Sequence, residues 1–215
     1  MPRILPNATD LYAITDAKLS RGRSLEEVVT QLLDAGIRIL QYREKHAKMG
    51  RMLEECRMIR AKTREAGACF LVDDYVDIAM LAEADGVHIG QEDLPLPEVR
   101  SLLGDSKIIG LSTHEPKQAL AAVQMGADYI GVGPLFATKT KEDVVAPVGL
   151  AYCSWVRDNI PLPFVAIGGI KAHNIAEVAR AGATCCALVS EFVGADSIKE
   201  TVQTVRTIFA QARNR

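Results

Sequence analysis

The sequence predicts an α/β protein that folds as a single (β/α)8 barrel, the TIM barrel. Eight short apolar segments recur along its 215 residues, and a helical pattern follows each of them. Several of these segments lack the alternation of apolar and polar residues seen in half-exposed strands, which favours parallel strands buried on both faces. No Pro- or Ser-rich linker divides the chain, so we expect residues 1–215 to form one barrel domain.

Each predicted strand opens a unit of strand, polar turn and helix. The predicted strands are Leu11–Thr15, Ile37–Gln41, Cys69–Val72, Gly86–Ile89, Lys107–Leu111, Tyr129–Val132, Phe164–Ile167 and Cys185–Val189. Ser24 and Glu27 have the spacing of a capping box at the start of the first helix, and an apolar stripe over residues 198–209 predicts a final helix. An open doubly wound sheet is the alternative, but the Gly-x-Gly-x-x-Gly turn after its first strand is missing.

Glycine and proline mark where several helices end and begin. The segments AGIRIL, EADGVHI, MGADYIGVG and AGATCCALV each run from a helix end through Gly or Ala-Asp into a strand. A glycine at such a point can adopt the left-handed backbone that terminates a helix. Pro97 and Pro116 are expected in the first turns of their helices, where the missing N–H costs little.

Composition and charge exclude several classes of protein. The chain is 48% hydrophobic and 24% charged, and its net charge of −2 argues against a nucleic-acid partner. No apolar run approaches the roughly 18 residues of a membrane span, and the start MPRILPNATD lacks a signal-peptide pattern, so we expect a cytoplasmic chain without a membrane partner. The five cysteines show no C-x-x-C spacing and are expected to be reduced, several of them buried.

Polar residues follow almost every predicted strand. In a (β/α)8 barrel the active site lies at the C-terminal ends of the strands. The residues at these ends are Gln41–Lys45, Asp73 and Asp74, Gly90–Asp93, Ser112–His114, Thr138–Lys141, Gly168 and Gly169, and Ser190. Each group alone could be a solvated loop or a turn, but their joint placement on one rim favours a single site.

The residue types on this rim suit a diphosphate and a metal ion. Arg43 and Lys45 lie two residues apart on an extended segment, so they are expected to face the same side and to bind phosphate oxygens. Asp74 and Asp93 offer carboxylate oxygens from adjacent strands, which suit Mg²⁺.

The remaining polar residues near the rim favour different roles. The turn Thr138–Lys141 is a second donor cluster. The diglycine after the seventh predicted strand, with Ser190 and a helix start after the eighth, matches the phosphate site common in these barrels. His88 lies inside a predicted strand and is expected to be a hydrogen-bonded core residue. Ser112 and His114 lack the Gly-x-Ser-x-Gly elbow of a hydrolase.

Six segments carry a family resemblance over nearly the whole chain. They are LYAITD at 11–16, QYREK at 41–45, VHIGQEDLP at 87–95, GLSTH at 110–114, GADYIGVGPLFATKTK at 126–141 and VAIGGI at 165–170. Together they resemble the thiamine phosphate synthase (thiamine-phosphate pyrophosphorylase) family. The resemblance implies a homo-oligomeric (β/α)8 transferase of thiamine biosynthesis with Mg²⁺ as cofactor. Such an enzyme joins 4-amino-5-hydroxymethyl-2-methylpyrimidine diphosphate to 4-methyl-5-(2-phosphoethyl)thiazole, or to its carboxylated form, and releases pyrophosphate to leave thiamine phosphate.

The resemblance also implies roles for the residues of the rim. Gln41, Arg43 and Lys45 would hold the diphosphate and the pyrimidine, and Asp74 and Asp93 would bind Mg²⁺. The reaction would be a dissociative substitution, in which stabilising the charge of the leaving group matters more than a strong base.

The resemblance further implies which residues would lie near the reacting carbon and the second substrate. Ser112 would lie near the pyrimidine methylene. The departing pyrophosphate would be covered by Thr138, Thr140 and Lys141. The thiazole phosphate would be seated by Gly169, Val189 and Ser190. The groups that would act in catalysis are Arg43, Lys45, Ser112 and Lys141.

Asp73 departs from the family pattern, which usually has Asn-Asp at Asp73-Asp74. A carboxylate cannot donate to a diphosphate oxygen as an amide can, and Asp73 adds negative charge beside the substrate unless a metal or a lysine compensates it. Tyr75 and Ala137 replace a frequent Arg and a frequent Pro. These changes leave room for weakened activity or an altered pyrimidine preference. Two alternatives stay open: a thiazole tautomerase-like enzyme, a relative that shares the thiazole phosphate pocket, and a non-catalytic paralogue that binds a thiazole phosphate, which Asp73 motivates.

Overall fold

The barrel in this computed structural model is closed, and its eight parallel strands follow one another in chain order. The structure describes residues 8–138, 140 and 145–213. The strands are β1 Leu11–Ile14, β2 Ile39–Tyr42, β3 Cys69–Asp73, β4 Gly86–Ile89, β5 Ile108–Thr113, β6 Tyr129–Val132, β7 Phe164–Ala166 and β8 Cys186–Leu188. The predicted (β/α)8 barrel is therefore confirmed, with strand ends within two residues of those predicted. Closure between β1 and β8 excludes the open sheet.

Helices cover the outside of the barrel. Within the described residues they are α1 Leu25–Asp34, α2 Met49–Glu65, α3 Val76–Leu81, α4 Leu96–Leu103, α5 Pro116–Met125, α6 Gly149–Asn159, α7 Ile175–Arg180, α8 Ser190–Val193 and α9 Ile198–Arg213. The capping box of α1 is confirmed, because the Glu27 N–H donates to Ser24 Oγ at 3.2 Å and the Ser24 N–H donates to Glu27 Oε2 at 2.7 Å. Pro97 and Pro116 occupy first-turn positions as predicted. None of the helices in the described part of the chain has the length and apolar character needed to cross a bilayer.

The left-handed residues at the helix ends match the predicted glycines, with one exception. Gly36, Gly126 and Gly182 have φ values of 83°, 80° and 101°. In the segment EADGVHI, however, the left-handed residue is Glu83, with φ 53°. Gly86 lies inside β4, where a Cβ atom would come within 1.9 Å of the carbonyl oxygen of Ile108. This segment passes through Ala84-Asp85 into β4, and its glycine serves close strand packing and not helix termination.

Two apolar layers hold the barrel together. The larger layer packs the outer faces of the strands against the helices, and the smaller one fills the barrel interior. Tyr12 and Tyr129 are the bulkiest members of the interior layer, with 2% and 0% of their surfaces exposed. Gly110 makes room for one of them, since a Cβ atom there would lie 2.1 Å from Cζ of Tyr129. All five cysteines are buried and free, as expected.

Arg–Asp pairs lie at the N-terminal ends of the strands, opposite the predicted site. Arg60 donates to both carboxylate oxygens of Asp85 at 2.8 and 2.9 Å, and Asp85 Oδ2 also accepts the N–H of Phe70 in β3 at 2.8 Å. A second pair of the same kind joins Arg100, Asp128 and the N–H of Ile109. Each carboxylate therefore ties the start of one strand to its neighbour and to a helix.

Candidate active site

The inward-facing residues at the C-terminal ends of the strands form the floor of the candidate site. Gln41, Asp73 and Ser112 share their side of the sheet with the interior apolar residues of β2, β3 and β5. Asp73 pairs in register with His88 of β4. The closed topology thus brings together residues that are up to 71 positions apart in the sequence (41 to 112).

A cluster of cations surrounds Asp73. Its Oδ2 lies 3.5 Å from Arg43 Nε and 3.4 Å from Lys45 Nζ, and its Oδ1 accepts a hydrogen bond from Gln41 Nε2 at 3.1 Å. Arg43 also lies 3.7 Å from Asp16 Oδ2. Arg43 and Lys45 therefore face the same side, as predicted, and the charge of Asp73 is compensated by both.

Two buried atoms of this cluster lack a hydrogen-bond partner within the described residues. They are Nε of Arg43 and Oδ2 of Asp73. The side chains of these residues are only 12% and 3% exposed. Buried polar atoms without partners are costly, and a bound polar ligand would satisfy them. These two atoms lie 3.5 Å apart in an ion pair, so the cluster is buried and matched in charge, unlike a solvated loop.

Asp74 and Asp93 lie on the neighbouring ends of β3 and β4. Asp74 has a left-handed backbone with φ 62°, donates its N–H to the His88 carbonyl at 2.9 Å, and pairs through Oδ2 with Lys45 Nζ. Asp93 Oδ2 accepts the N–H of Gly90 at 2.7 Å. Among the described residues no group of three or more acidic, His or Cys side chains could hold a metal ion, and the assignment of Asp74 and Asp93 as metal ligands stays a prediction.

A buried hydrogen-bonded chain runs from the rim into the barrel interior. Ser112 Oγ lies 2.9 Å from His88 Nε2, and His88 Nδ1 lies 2.9 Å from the hydroxyl of Tyr129. That hydroxyl is 3.2 Å from the hydroxyl of Tyr12. The prediction of a hydrogen-bonded core histidine is confirmed. His114 is engaged elsewhere, 2.6 Å from the Gly133 carbonyl.

The protonation of this chain limits what it can do. Burial raises the pKa of both Tyr12 and Tyr129 well above the usual value for a phenol, so both stay protonated. With a neutral imidazole, the hydrogen bonds of this series can run in either direction: Ser112 either accepts a hydrogen bond from His88 or donates one to it. The first direction leaves the hydroxyl hydrogen of Ser112 available to a substrate. No local sequence pattern connects His88 with Ser112, although both occupy inward positions of neighbouring strands.

A cavity of about 540 Å³ opens between the ends of β6, β7 and β8. Four predicted site residues line it, namely Thr138, Thr140, Gly169 and Ser190. The other lining residues are Leu19, Phe136, Ala137, Lys171, His173 and Asn174. Val189 packs against the interior apolar cluster instead. Lys141, predicted to act in catalysis, lies outside the described residues.

The diglycine after β7 forms one wall of this cavity. Gly168 and Gly169 have φ values of 97° and 64°, which disfavour any residue with a side chain. A Cβ atom on Gly168 would lie 2.3 Å from Pro134 Cα, and one on Gly169 would lie 2.6 Å from the Ala137 carbonyl oxygen. The two loops touch backbone to backbone, so both glycines are required.

A closed barrel of parallel strands, with cations, hydroxyls and a pocket gathered at the C-terminal strand ends, is the arrangement of a phosphate-binding barrel enzyme. The family model described as thiamine monophosphate synthase matches residues 11–192 of this chain. The thiamine-phosphate synthase of Lawsonia intracellularis is 60% identical over 209 residues, which cover 96% of each chain. That of Pelotomaculum thermopropionicum is 59% identical over 94% of this chain and 93% of its own.

A solved structure agrees with these relatives. The thiamine phosphate pyrophosphorylase from Pyrococcus furiosus superposes with a TM-score of 0.85 at 34% identity, and the match covers 94% of this chain and 96% of that one. The chain belongs to the thiamine monophosphate synthase family. Its activity is that of a transferase in thiamine biosynthesis, and the resemblance drawn from the six segments is confirmed.

Proposed function

We propose that the rim joins the pyrimidine diphosphate to the thiazole phosphate by a dissociative substitution, and that residues 1–215 form one catalytic domain. The observation that carries this proposal is the convergence of Arg43 and Lys45 on Asp73, where Arg43 Nε and Asp73 Oδ2 are buried in an ion pair but make no hydrogen bond within the described residues. A diphosphate oxygen suits Arg43 Nε, and a donor such as the pyrimidine amino group suits Asp73 Oδ2.

The diphosphate is the part of the substrate that these cations would stabilise. As the bond to the pyrimidine methylene breaks, negative charge grows on the leaving group, and fixed cations lower the energy of that state. Gln41 holds Asp73 in place, so Arg43 and Lys45 meet the diphosphate from a preorganised cluster. Lys141 would add a further cation from the turn after β6.

Asp74 and Asp93 would hold Mg²⁺. The donor set fits this ion, because Mg²⁺ is commonly bound by one or two carboxylates and completes its coordination with water and substrate phosphates. When bound, the ion neutralises charge on the diphosphate oxygens. Lys45 already pairs with Asp74, so that carboxylate also fixes the lysine that faces the diphosphate.

The other residues of the rim would orient the two substrates. Ser112, held by His88, would face the pyrimidine methylene. The thiazole phosphate would occupy the cavity, with contacts from Thr138, Thr140, Gly169, Val189 and Ser190. The family resemblance also supports a homo-oligomer in the cytoplasm, and the balanced charge supports small-molecule partners without nucleic acid or membrane; these stay predictions.

A pyrophosphate-release assay tests this proposal. Pyrophosphate should appear only with both substrates and Mg²⁺ present, and Asp93→Ala should lower the rate at least about 100-fold at fixed Mg²⁺, as loss of a charge-stabilising group does. Glu98→Ala, which removes an exposed carboxylate of α4, is the matched control and should match the unmodified protein. Binding of either substrate without release would favour a non-catalytic paralogue, and full release by Asp93→Ala would refute the metal assignment.

Asp73→Asn tests whether the unusual carboxylate is a defect. Because Asp73 contacts two cations and Gln41, we expect turnover that is unchanged or lower in the variant. A higher turnover would instead indicate that Asp73 impairs the site.

A further inference from the structure

The cavity has the electrostatic character of an anion site. Lys171 and His173 are its ionisable lining residues within the described chain, and no described carboxylate lines it. Three hydroxyl side chains, those of Thr138, Thr140 and Ser190, add hydrogen-bond donors. Lys171 contributes a full positive charge to this wall.

The ammonium group of Lys171 is held at the edge of the cavity by two contacts. Its Nζ donates to Ser190 Oγ at 2.8 Å and lies 3.2 Å from Glu191 Oε2. The Lys171 side chain is 31% exposed and that of Glu191 is 19% exposed. An ammonium has three N–H donors, so these two contacts leave one for a ligand. Ser190 accepts from Lys171, so its own hydrogen can also be donated to a ligand.

The backbone that carries Lys171 is fixed before any ligand arrives. Asn174 Oδ1 accepts the Lys171 N–H at 2.7 Å, and Asn174 Nδ2 donates to the Gly169 carbonyl at 3.0 Å. Glu191 Oε1 accepts the N–H of Ala172 at 2.9 Å. Asn174 is itself only 8% exposed. The turn between β7 and α7 is therefore preorganised, which lowers the entropic cost of binding.

We propose that Lys171 is a phosphate ligand in this cavity, that it selects a phosphorylated thiazole over the corresponding alcohol, and that Glu191 neutralises it until the phosphate binds. The inference rests on the proposed function, in which a thiazole phosphate is the second substrate. A phosphate monoester carries between one and two negative charges near neutral pH and outcompetes a single carboxylate for the ammonium. Ser190, bonded to the same ammonium, donates to a second phosphate oxygen.

The lysine and the carboxylate make opposite predictions. Lys171→Met should raise the KM for the thiazole phosphate about 10- to 100-fold, the usual value of a charged hydrogen bond, and leave the KM for the pyrimidine diphosphate within about twofold. Lys171→Arg should restore most of the affinity. Glu191→Gln, which keeps an acceptor for Ala172, should lower the inhibition constant of inorganic phosphate, because the ammonium is no longer neutralised.

The control variant is Lys199→Met, which removes an exposed lysine of α9 and should leave both KM values unchanged. Thermal unfolding of each variant checks that the fold is intact. If Lys171→Met unfolds, the results expected for Lys171→Arg and Glu191→Gln still test the proposal. The proposal is overturned if Lys171→Met behaves like Lys199→Met, if both KM values rise together, or if Glu191→Gln weakens phosphate inhibition.

The same experiment separates this inference from the proposed function. If the unmodified protein releases no pyrophosphate, the proposed function fails, and calorimetric titration with the thiazole phosphate alone then tests Lys171. Binding that Lys171→Met abolishes would support the phosphate site without the reaction. Equal binding by both proteins would refute it.

Discussion

Tyr129→Phe removes one oxygen atom from the middle of the buried chain and keeps the aromatic ring. That oxygen lies 2.9 Å from His88 Nδ1 and 3.2 Å from the hydroxyl of Tyr12, in a residue with 0% of its surface exposed. Because the ring stays, the apolar packing of the barrel interior should be nearly unchanged. The effect therefore reports on the hydrogen bonds alone.

The loss of stability follows from the two contacts. Losing a hydrogen bond between buried polar groups costs ~1–3 kcal/mol, so two lost bonds should cost ~2–6 kcal/mol in free energy of unfolding. For a chain of this length, that corresponds to a fall in Tm of roughly 4–24 °C. His88 also loses the contact that orients its ring towards Ser112, and we expect kcat to fall about tenfold, since small misplacements of site groups are costly.

The assay is urea unfolding followed by circular dichroism, together with steady-state kinetics. Tyr12→Phe is the matched control, because it removes the end of the chain and leaves the contacts between Tyr129, His88 and Ser112 intact. It should cost about 1 kcal/mol and leave kcat within twofold, and a double-mutant cycle should give a coupling of at least ~0.5 kcal/mol. A Tyr129→Phe variant that loses less than about 0.5 kcal/mol, or equal losses of kcat in both variants, would refute this reasoning.

Four further predictions concern the thiols, the N-terminal ends of the strands and the diglycine. The five cysteines should not react with Ellman's reagent at pH 8 until the protein is unfolded, since burial raises the pKa of Cys56 to about 12 and that of Cys153 to about 11; a thiol titrated in the folded protein would contradict this. Because unfolded thiols ionise near pH 8.5 and folded ones do not, stability to urea should fall above that pH by up to ~1.4 kcal/mol per pH unit for each thiol, and a flat profile to pH 11 would count against it. Arg100→Met should cost ~1.5–3 kcal/mol in free energy of unfolding by removing the charged hydrogen bond from Arg100 to Asp128, while kinetics stay unchanged, and an altered KM would show that the two ends of the barrel are coupled. Gly168→Ala should raise the KM for the thiazole phosphate at least about tenfold, because its Cβ would lie 2.3 Å from Pro134, whereas an unchanged KM would mean that the loops adjust freely.

The strands and helix starts were predictable because local patterns determine them. A strand buried on both faces reads as a continuous apolar run, and the capping box of Ser24 and Glu27 is contained within four residues. Gly86 shows the limit of this reasoning. Its role depends on the approach of Ile108 in the neighbouring strand, which no local pattern reveals. The left-handed residue at the preceding helix end is Glu83, which no glycine pattern predicts.

The candidate site was predictable as a rim but not as a set of contacts. Counting residues from each strand end placed Arg43 and Lys45 on one side, and the structure agrees. The compensation of Asp73 and the bond between His88 and Ser112 depend on the register of adjacent strands, which the sequence alone does not specify.

Lys171 was missed for a different reason. It lies in a polar turn before a short helix, where a lysine is ordinarily solvated. Its contact with Ser190 forms only because the ends of β7 and β8 are neighbours in the closed barrel.

The Arg–Asp pairs at the N-terminal strand ends have a consequence for how such a chain can change over time. Because Asp85 and Asp128 accept the N–H groups of Phe70 and Ile109, they tie β4 to β3 and β6 to β5 at the end opposite the candidate site. Loops on the opposite rim can then be exchanged or altered with little effect on closure. A chimera with the rim loops of a distant relative should therefore still fold. The N-terminal strand ends would then supply the mutational tolerance on which new substrate preferences depend.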